Sequence, residues 1–149
     1  MTASGAALDA LEARLGHVFA DRELLLEALT HRSWVNEHPG ARDNEALAFV
    51  GDAVLGLVVA EHLVAVEPDA PVGVLTPRRA EQVSGASLAR WAERLALGDC
   101  LRLGRGEAQT GGQAKESVLA TALEAVLGAV YREAGLPAAG RVIAALALW

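Results

Sequence analysis

Hydrophobic residues recur along this chain at the spacing of three to four that is typical of α-helices, and strand-like alternation is nearly absent. Hydrophobic residues make up 52% of the sequence and aromatic residues only 4%, so the core must be built from Leu, Val and Ala. These residues pack well between helices. The pattern therefore predicts an all-α fold of six or seven helices.

The first third of the chain predicts two short helices and a loop. Residues 7–15 form an amphipathic segment that ends at Gly16, and Asp21 is a suitable N-cap for a second helix over residues 21–31. Residues 33–42 contain Pro and Gly and are predicted to be a loop.

A long central helix is predicted from Asn44, as N-cap, to Val66. Its apolar positions form a stripe too wide for a surface helix, which indicates a buried helix. The stripe comprises Leu47, Val50, Val54, Leu57 and Val58.

Three further helices are predicted downstream. Thr76 and Pro77 are typical of an N-cap and a first-turn proline, and this helix should end near Leu97. The glycine-rich residues 104–112 predict an irregular loop. Helices over residues 116–134 and 138–148, separated by Gly135 and Pro137, should complete the fold.

Length and composition indicate a single domain, residues 1–149, because 15.5 kDa is enough for one core but small for two. The lone Cys100 cannot form an internal disulfide and is expected to be a plain buried thiol. The sequence shows no charged-then-apolar leader and no apolar run near the roughly 20 residues of a membrane span. We therefore expect a soluble, cytoplasmic protein that does not contact a membrane.

The net charge of −6 and the pI near 5.2 argue against a protein that binds nucleic acid through overall positive charge. A local patch remains compatible with phosphate binding, because the distribution of charge matters more than its sum. The basic residues near predicted turns are Arg78, Arg79, Arg102, Arg105 and Lys115.

Two acidic residues interrupt the most apolar predicted helices. Asp52 lies within NEALAFVGDAVL and Glu124 within ESVLATALEAVLGAVY. Helical periodicity places Glu45, Ala48 and Asp52 on one face, and Thr121 and Glu124 on one face of the later helix. If the helices cross, Asp52 and Glu124 can meet and bind Mg²⁺ or Mn²⁺ through carboxylate oxygens.

The same two segments resemble the signature helices of the ribonuclease III family. LEARLGHVFADRELLLEALTHRS, LTPRRAEQVSGASLARWAERLALGDCLRLGRGE and the TGG loop are similar to further pieces of that family's nuclease domain, in the same order. The resemblance implies an all-helical homodimer that cleaves double-stranded RNA with Mg²⁺ and leaves 5′-phosphate and 3′-hydroxyl ends. It also implies that Phe49 packs into the partner subunit.

The four acidic positions of the family site fall on Ala48, Asp52, Thr121 and Glu124, so this chain keeps two of the four acids. Alanine cannot ligate a metal, and threonine offers one neutral oxygen. The compact Mini-ribonuclease III branch is similar at these positions and acts on ribosomal RNA precursors without a separate double-stranded RNA-binding domain. We likewise expect no double-stranded RNA-binding domain in residues 1–149.

Asp52 and Glu124 are thus the predicted catalytic and metal-binding residues. Glu45 and Thr121 are weaker candidates that would act from behind the metal ligands. A first-turn role explains Glu45 at least as well, and a packing role explains Thr121 better. Arg78, Arg79, Arg105 and Lys115 are candidate RNA contacts. The alternatives are a catalytically degenerate dimer that binds RNA, and a helical dimer with a purely structural role.

Overall fold

The computed structural model describes residues 3–149, and these residues form eight α-helices without a β-strand. The all-α prediction is confirmed, with more helices than the six or seven expected. Helix α1 (Gly5–Leu15) begins where the Ser4 hydroxyl accepts from the Ala7 N–H, and it ends at Gly16, whose φ of 72° is left-handed. Helix α2 (Arg22–Ala28) is capped by Asp21 as predicted, and it ends earlier than expected.

Helix α3 (Arg32–Glu37) occupies most of a segment predicted to be a loop. The prediction of a loop over residues 33–42 was wrong because the helix is started by a histidine. The Nδ1 atom of His31 accepts from the Ser33 N–H at 3.1 Å, which is the function of a Ser or Asp N-cap. His31 therefore has a structural role at the beginning of α3.

Helices α4 (Glu45–Val66) and α8 (Glu116–Ala147) make the most extensive contact in the molecule and form its centre. The prediction of a long helix from Asn44 is confirmed. Its cap differs, because the Asp43 side chain accepts from the Glu45 N–H while the Asn44 amide donates to the Ala28 carbonyl. Helix α8 joins the last two predicted helices across a kink at Gly135, where φ is 82°.

The predicted apolar stripe of α4 is only partly buried. Leu47 and Val54 lie in the core, Val50 and Val58 are half-buried, and Leu57 is exposed. By length and composition alone this helix is also apolar enough to cross a membrane, contrary to the expectation from sequence. It packs instead against α8 within the helical core.

Helices α5 (Val72–Gln82) and α6 (Gly85–Arg94) replace the single helix predicted from Thr76. That prediction was wrong because Pro71 is the N-cap of α5 and Pro77 lies inside it. Ser84 starts the next helix, since its hydroxyl accepts from the Ser87 N–H. These caps divide the segment into two shorter helices.

Helix α7 (Arg105–Gln109) lies within the glycine-rich segment that was predicted to be irregular. Short 3₁₀ turns flank it at residues 97–100 and 112–114. Thr30 forms an isolated bridge with Arg102, and this bridge ties the segment before α7 to the segment before α3. Cys100 is buried as expected, and burial raises the pKa of its thiol.

Candidate active site

Two glycines set the position of the candidate active site by letting α4 and α8 cross at close range. A Cβ atom on Gly51 would overlap the Glu124 carbonyl and would lie 2.9 Å from the Gly128 nitrogen. A Cβ atom on Gly128 would in turn overlap the Leu47 carbonyl. The two backbones therefore touch, and only glycine fits at these positions.

Asp52 and Glu124 meet at this crossing, as the helical periodicity predicted. Asp52 follows Gly51 directly, and Glu124 lies one turn before Gly128. The pKa of Glu124 is raised to about 8, first by partial burial of its carboxyl group and then by the hydrogen bond and the negative charge of Asp52. The two carboxyl groups are thus close enough to share a proton or a cation.

The two acids are less buried than the apolar residues around them in the sequence suggest. Asp52 is exposed and Glu124 is half-buried. The reason is that Gly51, and not Asp52, takes the position in contact with α8, which leaves Asp52 at the edge of the crossing. An exposed carboxylate is solvated by water and needs no buried partner, so burial is not an argument for a metal ion at Asp52.

Glu45 and Thr121 line a small cavity of about 150 Å³, which lies about two turns from Asp52 along α4 and about one turn from Glu124 along α8. Glu45 is exposed and forms an ion pair with Arg32 at 3.7 Å. His31, Asn44 and Ser117 also contribute to its walls. Ala48 lies between Glu45 and Asp52 but is buried in the core. The structure therefore brings Glu45 and Thr121 together beside the acid pair.

Sequence reasoning missed Arg32 and Ser117 in this cavity. Ser117 could have been found, because it precedes Thr121 by four residues on the same helix face. Arg32 gave no such signal, since the segment that carries it was predicted to be a loop.

The donor set at the crossing suits a hydrated Mg²⁺. Within residues 3–149 no group of three or more His, Cys, Asp or Glu side chains could hold a metal ion. Mg²⁺ is commonly bound through only one or two carboxylates, with waters and substrate phosphate completing its coordination. The residues present therefore fit a weakly held Mg²⁺.

Two of the four predicted RNA contacts are engaged with acidic residues. Arg78 forms an ion pair with Glu67, and the Lys115 Nζ atom lies 3.0 Å from Glu107 Oε1. Arg79 lines a cavity between α4 and α5 with Ala60 and Leu63, and Arg105 is exposed at the start of α7.

Phe49 projects from the side of α4 that is opposite Gly51 and the crossing with α8, and this residue is 83% exposed. Ala53, Leu57 and Val64 are exposed on the same side, at the spacing of one helix face. We call these four residues the outer face of α4. An exposed apolar face of this kind is unusual on an isolated domain and marks an interaction surface.

Comparison with known proteins gives a consistent result. A family model described as Ribonuclease-III-like matches residues 21–148. Ribonuclease 3 of Symbiobacterium thermophilum is 52% identical over 129 residues, which cover 87% of this chain and 54% of that protein. Ribonuclease 3 of Streptomyces coelicolor is 50% identical over 133 residues, covering 89% and 48%. The chain thus spans about half the length of these curated relatives.

A solved structure of the ribonuclease III nuclease domain from Campylobacter jejuni is 40% identical and superposes with a TM-score of 0.88, covering 93% of this chain and 94% of that one. The matched residues include both helices that carry Asp52 and Glu124. The chain belongs to the ribonuclease III family.

Proposed function

We propose that this protein is a Mg²⁺-dependent endonuclease that cleaves double-stranded RNA, with Mn²⁺ as a substitute metal. The observation that carries the proposal is the meeting of Asp52 and Glu124 where α4 crosses α8. The relatives named Ribonuclease 3 support the same class of reaction. Structured RNA, including ribosomal RNA precursors, is the proposed substrate, and the products would carry 5′-phosphate and 3′-hydroxyl ends.

In this proposal Asp52 and Glu124 hold the metal. When bound, Mg²⁺ would polarise the scissile phosphodiester and lower the pKa of a coordinated water. Glu124 must lose its proton to bind a cation, because carboxylates bind hard metals in the ionised form. Asp52, which is exposed, is accessible to the metal and to substrate oxygens.

Glu45 and Thr121 would act from behind these ligands. The Glu45 carboxylate and the Thr121 hydroxyl face the same small cavity and can hydrogen-bond waters around the metal. The ion pair of Arg32 with Glu45 lowers the negative charge at this side of the cleft. An RNA phosphate would thus meet less repulsion than four carboxylates would cause.

We further propose that the protein works as a homodimer through the outer face of α4, with Phe49 inserted into the partner. The exposed apolar residues support this, as does the Campylobacter jejuni nuclease domain, which is described with a region involved in dimer formation. Two sites related by a two-fold axis can reach the two antiparallel strands of an A-form duplex.

Arg105 has the free surface position that suits a phosphate contact. Arg78, Arg79 and Lys115 remain proposed contacts, although Arg78 and Lys115 would first have to leave Glu67 and Glu107. We retain the predictions of one domain, a cytoplasmic location and no membrane contact.

A second candidate function is an RNA-binding dimer without catalysis. The observation that favours it is the substitution of two family acids by Ala48, which is buried, and Thr121. A site with two carboxylates should bind divalent metal more weakly than one with four. A dimer with a purely structural role is the remaining alternative.

The test is incubation of the purified protein with long, blunt-ended double-stranded RNA in Mg²⁺, in Mn²⁺ and in chelator. Asp52→Asn and Glu124→Gln variants serve as the comparison, and Glu61→Gln on the same helix serves as a matched control. We expect metal-dependent cutting that both site variants abolish and the control keeps. Intact RNA under every condition, with RNA still bound, would favour the binding dimer.

A further inference from the structure

An aromatic stack lies at the far end of α3 from the acid pair. The Trp34 and His38 rings are parallel within 7°, with centroids 3.7 Å apart. The Arg102 guanidinium lies over the Trp34 ring, with its Cζ atom 5.6 Å from the ring centroid. His38, Trp34 and Arg102 together are called the α3 stack below.

The outer surface of this stack is the imidazole of His38. His38 is exposed, and since one face of its ring lies on Trp34, the open surface belongs to the other face and the ring edge. The ring is also fixed in place, because its Nδ1 atom lies 3.0 Å from the Trp34 carbonyl oxygen. A flat aromatic surface held in one orientation is what a planar ligand needs for stacking.

Positive charge lies within the α3 stack, at Arg102, and close beside it, at Arg105. The Nε atom of Arg102 is shielded from solvent and has no hydrogen-bond partner among the described residues. Arg105 is exposed. It lies close to His38, since its backbone N–H donates to the Glu37 carboxylate, on the residue before His38, at 2.7 Å. A ligand that combines a planar ring with a negative charge would match both features.

The stack is also within reach of the candidate active site. Helix α3 begins beside the cavity lined by His31, Glu45 and Thr121, and it ends next to His38. Six helical residues span roughly 9 Å, which is about the length of one to two nucleotides of an RNA strand. A strand that passes this cavity could therefore place a base on His38 one to two nucleotides further along.

We propose that the outer face of His38 is a stacking site for an unpaired nucleobase of RNA, adjacent to the duplex held by the cleft. Bases inside a duplex have no free face, so the ligand is a nucleotide in a bulge, loop or single-stranded extension. Stacking on aromatic rings tolerates any base, so the site would select unpaired structure and not sequence. The inference rests on the proposed function only in that RNA is the ligand.

The test compares two RNAs with equal charge. Both contain the same 20-base-pair duplex with four-nucleotide extensions at all ends, and the extensions either carry bases or are abasic. Binding is measured by fluorescence anisotropy in chelator, so that it does not depend on cleavage. We expect the protein to bind the base-carrying RNA about fivefold more tightly or better.

Substitutions of His38 and of a control histidine test whether the preference for base-carrying RNA depends on His38. His38→Ala should bring the affinity ratio of the two RNAs close to one without weakening binding of the abasic RNA, and His38→Phe should keep the ratio. His62→Ala is the matched control, because His62 stacks on Trp149 at 3.8 Å in the same way and should leave the ratio unchanged.

A ratio of one for the unchanged protein would overturn the proposal, and so would a ratio that survives His38→Ala or falls equally with His62→Ala. Failure to bind any of these RNAs would also overturn it. Loss of cleavage with the ratio intact would instead count against the proposed nuclease alone.

Discussion

Helix α4 has two apolar faces with opposite environments. On the inner face Leu47, Gly51 and Leu55 are buried against α8, so closely that Gly51 touches the opposite backbone. On the outer face Phe49 and Leu57 are exposed. The inner face stabilises the single chain, whereas the outer face is largely exposed and is available to a partner.

Asp52 lies at the border between these two faces, which explains how an acid can occupy so apolar a helix. It follows the glycine that makes the crossing and remains exposed, while its neighbours on either face are apolar. Apolar character alone therefore does not distinguish a core from an interface. The close approach of two backbones, as between Gly51 and Glu124, distinguishes the core face of α4 from its outer face.

The largest effect should come from filling the crossing with Gly51→Ala. The added methyl group would overlap the Glu124 carbonyl, so the two helices must separate, at a cost of about 3 kcal/mol or more in the free energy of unfolding. Chemical denaturation measures this change. Gly140→Ala on α8 is the control, since no atom lies within 4 Å of a Cβ atom there and Ala is the better helix former. Equal stability of the two variants would show that the crossing is looser than described.

On the outer face, Phe49→Asp should leave the stability of the single chain nearly unchanged but dissociate the homodimer. A charge at the centre of an apolar interface should weaken association about 100-fold or more. Analytical ultracentrifugation over a range of protein concentrations measures the constant. Val18→Asp, at a side chain that is 79% exposed outside this face, is the control. A dimer that persists in Phe49→Asp would place the interface elsewhere.

Replacing Glu124, which interacts with Asp52 at the border between the two faces, should have a smaller effect on thermal stability that depends on pH. The pKa of Glu124 is raised from 4.5 to about 8 in the folded protein, so the proton stabilises the fold below pH 4.5, and this contribution is lost as the pH rises to 8. Glu124→Gln cannot lose a proton. In chelator, its Tm relative to the unchanged protein should therefore rise by about 1–3 °C between pH 5 and pH 8.5.

The exposed Glu61→Gln variant is the control for this measurement and should show no such change. A Tm difference for Glu124→Gln that is independent of pH would mean that Asp52 and Glu124 do not interact in the folded protein.

Much of this arrangement could be predicted from the sequence. Helical periodicity predicted α4 and most of α8, and it predicted that Asp52 and Glu124 could meet. Long apolar segments with a period of 3.6 residues are consistent with few structures other than packed helices. Caps were less predictable. His31 starts α3 in place of a usual capping residue, and Pro77, which is typical of a helix start, lies inside α5.

The burial of individual residues was the part that the sequence could not provide. Asp52 and Leu57 lie on a helix that was predicted to be buried, yet both are exposed. The reason is that α4 has a second apolar face, which points away from the core. The cavity that joins Glu45 and Thr121 also depends on α3, which was not predicted.

Direct Mn²⁺ titration monitored by electron paramagnetic resonance can show, without any RNA, whether the two carboxylates at this crossing hold a divalent metal. We expect saturable binding that Asp52→Asn and Glu124→Gln each abolish. Ala48→Glu combined with Thr121→Asp should strengthen binding about tenfold or more by restoring carboxylate ligands. Binding that is absent, or that is unaffected by Asp52→Asn and Glu124→Gln, would contradict a metal site at this crossing.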